Sequence, residues 1–180
     1  MSSQEVKKAL DYALAYATAG AGTSFSMKAF IPLPIPVVDA LPQTVIVKMM
    51  SDQLASVYGL RSLRGLTIFT AKIVGATGGV KLASEIASFI PLPMAGPGTG
   101  AVTSFTLQLS VGIVLIIIFE LLRENSIQES YIGSITFDDM GVLLGLATEV
   151  IAEIIQIGDG VEAINIAVGK FKVQNVPVYE

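Results

Sequence analysis

The chain has 180 residues, enough for one domain with a real core, and carries a formal charge of −4. Apolar residues make up 52% and charged residues only 14%, against about 25% charged in ordinary soluble domains, so part of the surface is expected to meet lipid, another subunit or a partner. With no Cys and no His, disulfides, thiolate chemistry and Ser-His or Cys-His nucleophile pairs are excluded, and zinc loses its commonest ligand.

The elements are punctuated clearly. Ser2, Ser3, Gln4 and Glu5 read as a capping box. After it Val6, Leu10, Ala13, Leu14 and Ala17 fall on one face at helical spacing, and Ala19-Gly20-Ala21-Gly22 is expected to end the helix. Lys7-Lys8 followed by an apolar stretch and Ala17-Thr18-Ala19 imitates a secretory signal, but Asp11 interrupts it. An ordinary first helix on the cytoplasmic side is the expectation, membrane-associated or, alternatively, soluble.

Asp39 is placed as the N-cap of a second helix over residues 40–58, with Pro42 in its first turn and Gly59 at its C-terminal cap. Lys48 and Asp52 stand i,i+4 on its outer face. Helices are expected over residues 63–79 and 80–90, and the longest apolar helix over about residues 99–123. Thr136 and Asp139 form a second capping box, opening a helix near Phe137. Asp159, Gly160, Val161 and Glu162 repeat that pattern and start a last helix to about Lys170, leaving residues 171–180 as an extended tail. No run alternates long enough to suggest a sheet.

Phe30-Ile31-Pro32-Leu33-Pro34 recurs as Phe89-Ile90-Pro91-Leu92-Pro93. Proline breaks a helix and favours extended backbone before it, so Pro32, Pro34, Pro91 and Pro93 mark two rigid corners of a duplicated helical hairpin. Small residues also repeat at i,i+4: Ala71, Gly75 and Gly79; Gly141 and Gly145; Gly96 and Gly100. Such faces favour close helix packing.

Residues 86–119 contain no charge. Residues 99–119 alone would span about 31 Å as a helix, the thickness of a bilayer core. Val111, Ile113, Leu115, Ile116, Ile117, Ile118 and Phe119 make its second half wholly apolar, whereas Thr103, Ser104, Thr106, Gln108 and Ser110 would need partners in lipid. Nine successive residues without charge turn through every face of a helix, so this segment belongs in lipid or in the centre of a bundle.

Catalytic patterns fail on inspection. Residues 75–81 approach a phosphate loop, but Val80 and Leu82 occupy the positions that need Gly and a hydroxyl. Gly96, Gly98 and Gly100 lack the spacing of a dinucleotide fingerprint. Glu149 with Glu153, and Glu120 with Glu124, share helix faces, yet a di-metal bundle also needs His. Through residue 90 there are eight basic and five acidic residues, and after it three and ten. The dispersed basic residues and absent Trp argue against nucleic acid. No catalytic residue, cofactor or metal ligand is expected.

Pro34-Ile35-Pro36-Val37-Val38-Asp39, then Met49-Met50 and Tyr58-Gly59, resemble the opening of a bacterial helical family of unknown function often fused behind Era-like GTPase domains. Phe89-Ile90-Pro91 through to Gly112 and the apolar helix fits the same pattern more loosely, so the likeness covers about residues 28–120. It implies a membrane-associated helical module acting with or beside a GTPase. No GTPase domain is present, and Ala95-Gly96-Pro97 departs from the simpler Pro-Gly turn of the pattern.

The expectation is an all-α domain over residues 1–170: a compact bundle of about six to seven helices, with two similar helix-Pro-corner-helix hairpins around a very apolar helix. Its function is expected to be that of a membrane-associated interaction or assembly module, binding lipid or a protein partner. The alternative is a soluble helical homo-oligomer that sequesters an apolar helix and opens to bind lipid or insert into membranes.

Overall fold

The computed structural model describes residues 3–30, 36–60, 68–69, 72 and 98–175. Among the described residues the fold is all-α, as six helices: α1 (Ser3–Phe30), α2 (Pro36–Val57), α3 (Gly98–Arg123), α4 (Glu129–Ser134), α5 (Phe137–Gln156) and α6 (Gly160–Asn175). Ile68, Phe69 and Lys72 are helical as well. Ser2, the corners at Pro32, Pro34, Pro91 and Pro93, the degenerate phosphate loop at 75–81 and the small residues Ala71, Gly75, Gly79 and Gly96 lie outside the described residues.

Several ends are set by local chemistry that the sequence displays. At α5, Thr136 Oγ1 accepts from the Asp139 N–H at 3.1 Å, while Asp139 Oδ2 accepts from the Thr136 N–H at 2.9 Å. At α6, the Glu162 N–H donates to Asp159 Oδ1 at 3.0 Å. Helix α2 closes on Gly59 at φ 67°, where the Leu60 N–H reaches back to the Ala55 carbonyl at 2.8 Å. Asn125 does the same for α3 at φ 55°, with the Ser126 N–H on the Leu121 carbonyl at 2.9 Å.

Other boundaries differ from the sequence expectation. Helix α1 continues through Gly20 and Gly22 to Phe30. Glycine in a helix costs only about 1 kcal/mol each, and no proline intervenes before Pro32. Helix α2 begins at Pro36, so Asp39 lies within its first turn and is not the N-cap. A proline whose missing N–H would be unpaired anyway starts a helix well, which favours the earlier start. Pro42 therefore sits in the second turn rather than the first. Helix α6 runs on to Asn175 because Phe171 is anchored at 0% exposure, so the extended tail cannot begin at 171.

Helix α3 runs through the middle of the bundle, packing most extensively on α1 and also on α5, α2 and α6. Each neighbour offers it one apolar face. From α1 come Val6, Ala9, Leu10, Ala13 and Ala17; from α2, Val47, Met50, Leu54, Ala55 and Tyr58. Helix α5 adds Leu143, Ala147, Val150 and Ile151, and α6 adds Ile164, Ala167, Val168 and Phe171. Lys7, Lys8, Asp11 and the Lys48/Asp52 pair (2.8 Å) face outward.

The closest approach is at Gly112, where an added Cβ would lie 2.7 Å from Ala13 Cβ and 3.2 Å from Met50 Sδ. Gly141 and Gly145, in contrast, have open space where a Cβ would go, so the seam of close packing is on α3 and not on α5. Gly112→Ala should lower stability by about 1–2 kcal/mol in urea denaturation, the overlap outweighing the gain in helix propensity. Adding Ala13→Gly should recover most of that loss relative to Ala13→Gly alone. Additive losses would place the strain elsewhere.

Candidate functional site

Two features of α3 stand out chemically: its sheathed apolar half and a charged cluster at its C-terminal end. Residues 108–122 are buried without a break. Val111 is 1% exposed, and Ile113, Leu115, Ile116, Ile117, Ile118 and Phe119 are 0% exposed. All seven residues expected in the least polar environment are therefore inside protein on every face of the helix. The stretch Ser104–Arg123 is 20 residues long, and its most apolar 18-residue window has mean hydropathy 2.3 and is 83% buried. It has the length and composition to cross a membrane, as the core helix of a soluble protein also does.

Polar groups interrupt this helix at a few places. The Ser110 hydroxyl donates to the Thr106 carbonyl at 2.8 Å, one turn back on the same helix. Glu120 is fully buried, and its Oε2 accepts from Arg123 Nη2 at 2.7 Å. Arg123 Nη1 also donates to Glu5 Oε2 on α1 at 2.7 Å, so one guanidinium joins a buried carboxylate to a neighbouring helix. Tyr58, at the end of α2, lies over Phe119 with ring centroids 5.7 Å apart. Burial, then the charge of Glu120, pushes its phenol well above the ordinary value, so it stays protonated.

The cluster contains two carboxylates for one guanidinium: its ion pairs tie α1 to α3, and the Tyr58 ring beyond the end of α2 packs on Phe119 beside them. The Tyr58 hydroxyl lies beside the Glu120 carboxylate outside good hydrogen-bond geometry, and Arg123 Nε is buried without a partner. Sequence reading paired Glu120 with Glu124 by spacing, but the structure gives them different cations: Glu120 pairs with Arg123, and Glu124 with Lys172 of α6. The usable signal was Arg123, three residues beyond Glu120 on the same helix face. Glu5 was not findable, being 118 positions away.

Glu149 and Glu153 are exposed on α5, and Glu149 pairs with Lys170 at 2.6 Å. They edge a shallow groove of ≈ 260 Å³ floored by Val150, Ala163 and Ala167. Lys72 donates to the Gly133 and Ile135 carbonyls, both at 3.0 Å, placing a cation at the C-terminal end of α4. Among the described residues, no group of three or more acidic side chains could hold a metal ion.

No family model, no curated protein and no solved structure matches the chain. No match, then, bears on the likeness to the GTPase-linked helical family.

Removing Arg123 leaves Glu120 as an uncompensated buried carboxylate. Arg123→Met should cost about 3 kcal/mol, the low end for such pairs because Arg123 is partly solvated. Arg123→Met combined with Glu120→Leu should recover most of it, since an apolar pair of similar volume replaces the ion pair without strain. Denaturant titration of the two single variants and the double variant would settle the coupling; simple additivity would refute it.

Proposed function

We propose that this chain is a non-catalytic helical bundle that keeps a bilayer-length apolar helix sheathed and delivers it to lipid when the bundle opens. The observation that carries this reading is the unbroken burial of residues 108–122 within a helix of membrane-crossing length. An apolar helix that merely lay on a membrane would keep a polar face, and this segment has none. The all-round sheath favours the sequestering alternative over a permanently membrane-bound module.

The polar chemistry of α3 supports it too. The charge on Glu120 is met by Arg123 on the same helix, and Ser110 bonds to its own backbone. These groups would leave the bundle with their partners attached, which lowers the cost of moving the helix into hydrocarbon. A GTPase partner finds no comparable support in the geometry.

The chain has no Trp, so Phe119→Trp installs a single indole in the sheathed half, which can be excited selectively over the tyrosines. In the resting protein, vesicles of brominated phosphatidylcholine should leave its emission unquenched. In sub-denaturing urea, which loosens the bundle, the protein should float with those vesicles and its emission should be quenched. Loosened protein that aggregates without floating, or floats without quenching, would overturn the reading.

A further inference from the structure

One side chain of α3 lacks the self-sufficiency of its neighbours. Gln108 is 0% exposed, and neither its Oε1 nor its Nε2 has a hydrogen-bond partner. A buried amide with both ends unpaired is costly, and natural cores contain few such groups. Ser110 carries its acceptor on its own helix and Glu120 its counter-ion, but Gln108 carries nothing with it. In lipid the deficit would persist, because hydrocarbon offers no donor or acceptor.

The surroundings of Gln108 on the helix are suited to another helix. Ser104 and Gly112 stand one turn before and one turn after it on the same face. At Gly112 that face already accepts a close neighbour: in the closed bundle Ala13 of α1 fills the space a Cβ would need. A primary amide is both donor and acceptor. Two copies of one helix related by a two-fold axis therefore satisfy each other, each Nε2–H donating to the other's Oε1. Small residues beside such a group let the backbones come close enough for the exchange.

We propose that α3, once in lipid, pairs with α3 of a second copy of this chain through Gln108, with Gly112 admitting the close approach that α1 has in the closed bundle. This rests on the sequestered-helix reading. The occupant is a second copy because the amide is self-complementary and the glycine seam is vacated as α1 leaves.

The test uses the full chain, which has no native Cys. Leu115→Cys lies on the face of Gln108 and Gly112, and Ile117→Cys lies on the opposite face. After urea-assisted flotation with phosphatidylcholine vesicles, oxidation should give disulfide dimers at Leu115→Cys and few at Ile117→Cys. Gln108→Leu should still float, but its Leu115→Cys dimers should fall at least fivefold, whereas Gln108→Asn should retain them. In solution Gln108→Leu should melt at a higher temperature than the wild type, since it removes an unpaired amide. A lower melting temperature would show that the bundle satisfies Gln108 and would overturn the inference without reference to lipid. Floating protein that stays monomeric, or cross-links equally from both faces or with Gln108→Leu, would overturn it alone. Wild-type protein that never floats would sink the sequestered-helix reading, and this inference with it.

Discussion

A helix that is apolar on every side has to be covered on every side, and the arrangement of this bundle follows from that requirement. Val111 through Phe119 offers no polar stripe to water, so no single partner helix suffices. Helices α1, α2, α5 and α6 each contribute a one-sided apolar face, and their opposite faces hold the charges. This division accounts for how so low a charged content can coat the described helices: the apolar excess is concentrated in residues 108–122 of α3, which are buried throughout. It also explains the alanines of α1. Ala9, Ala13 and Ala17 recur at helical spacing and let α1 lie close along α3, with Gly112 as the complementary notch.

Sequestration by protein and insertion into lipid make similar demands on a helix, and the apolar residues 111–119 of α3 are suited to either, with Gln108 the exception among its polar groups. Each environment excludes water, so each requires polar groups to be satisfied within the helix or by a specific neighbour. Ser110 meets this condition within the helix, and Arg123 meets it for one oxygen of Glu120. The second bond of Arg123 goes outward to Glu5 on α1 and belongs to the closed bundle alone. The end cluster is therefore two devices in one: an intrahelical pair that neutralises α3, and a bridge that holds α1 against it.

What could be read from the sequence was what is encoded locally. The caps at Thr136, Asp159 and Gly59 involve residues at most a few positions apart, and the structure forms all three. The limits of α3 were legible to within a residue from its apolar run, but that run left lipid and a bundle core equally open, and only the packing of the other helices places residues 108–122 inside protein. The end of α1 was misjudged because glycine only weakens a helix, and what lies beyond it in space decides whether the weakness matters. Asp39 was misplaced for a related reason: two good starting signals stood three residues apart, and Pro36 prevailed. Helix α4, at six residues, is too short to show a period, and Gln128 offers no side-chain cap. The Glu5, Tyr58, Glu120 and Arg123 cluster was beyond reach because its members come from three helices.

The positions of the ties along α3 bear on how such a bundle would open. The long-range bond to α1 is at the C-terminal end of α3, at Arg123, and the tight α1 contact lies eleven residues earlier at Gly112. The described ties of α5 and α6 to this region are of a different kind: buried aliphatic contacts, with the Glu124/Lys172 pair at the rim. Apolar contacts are non-directional, whereas the Arg123/Glu5 bond requires two specific, partly exposed side chains to stay together. Were α1 to separate from α3, the Arg123/Glu5 bond would break and Glu120 would still keep its cation. The helix would then leave its neighbour with the charge of its buried carboxylate still met, because Arg123 serves both carboxylates at once.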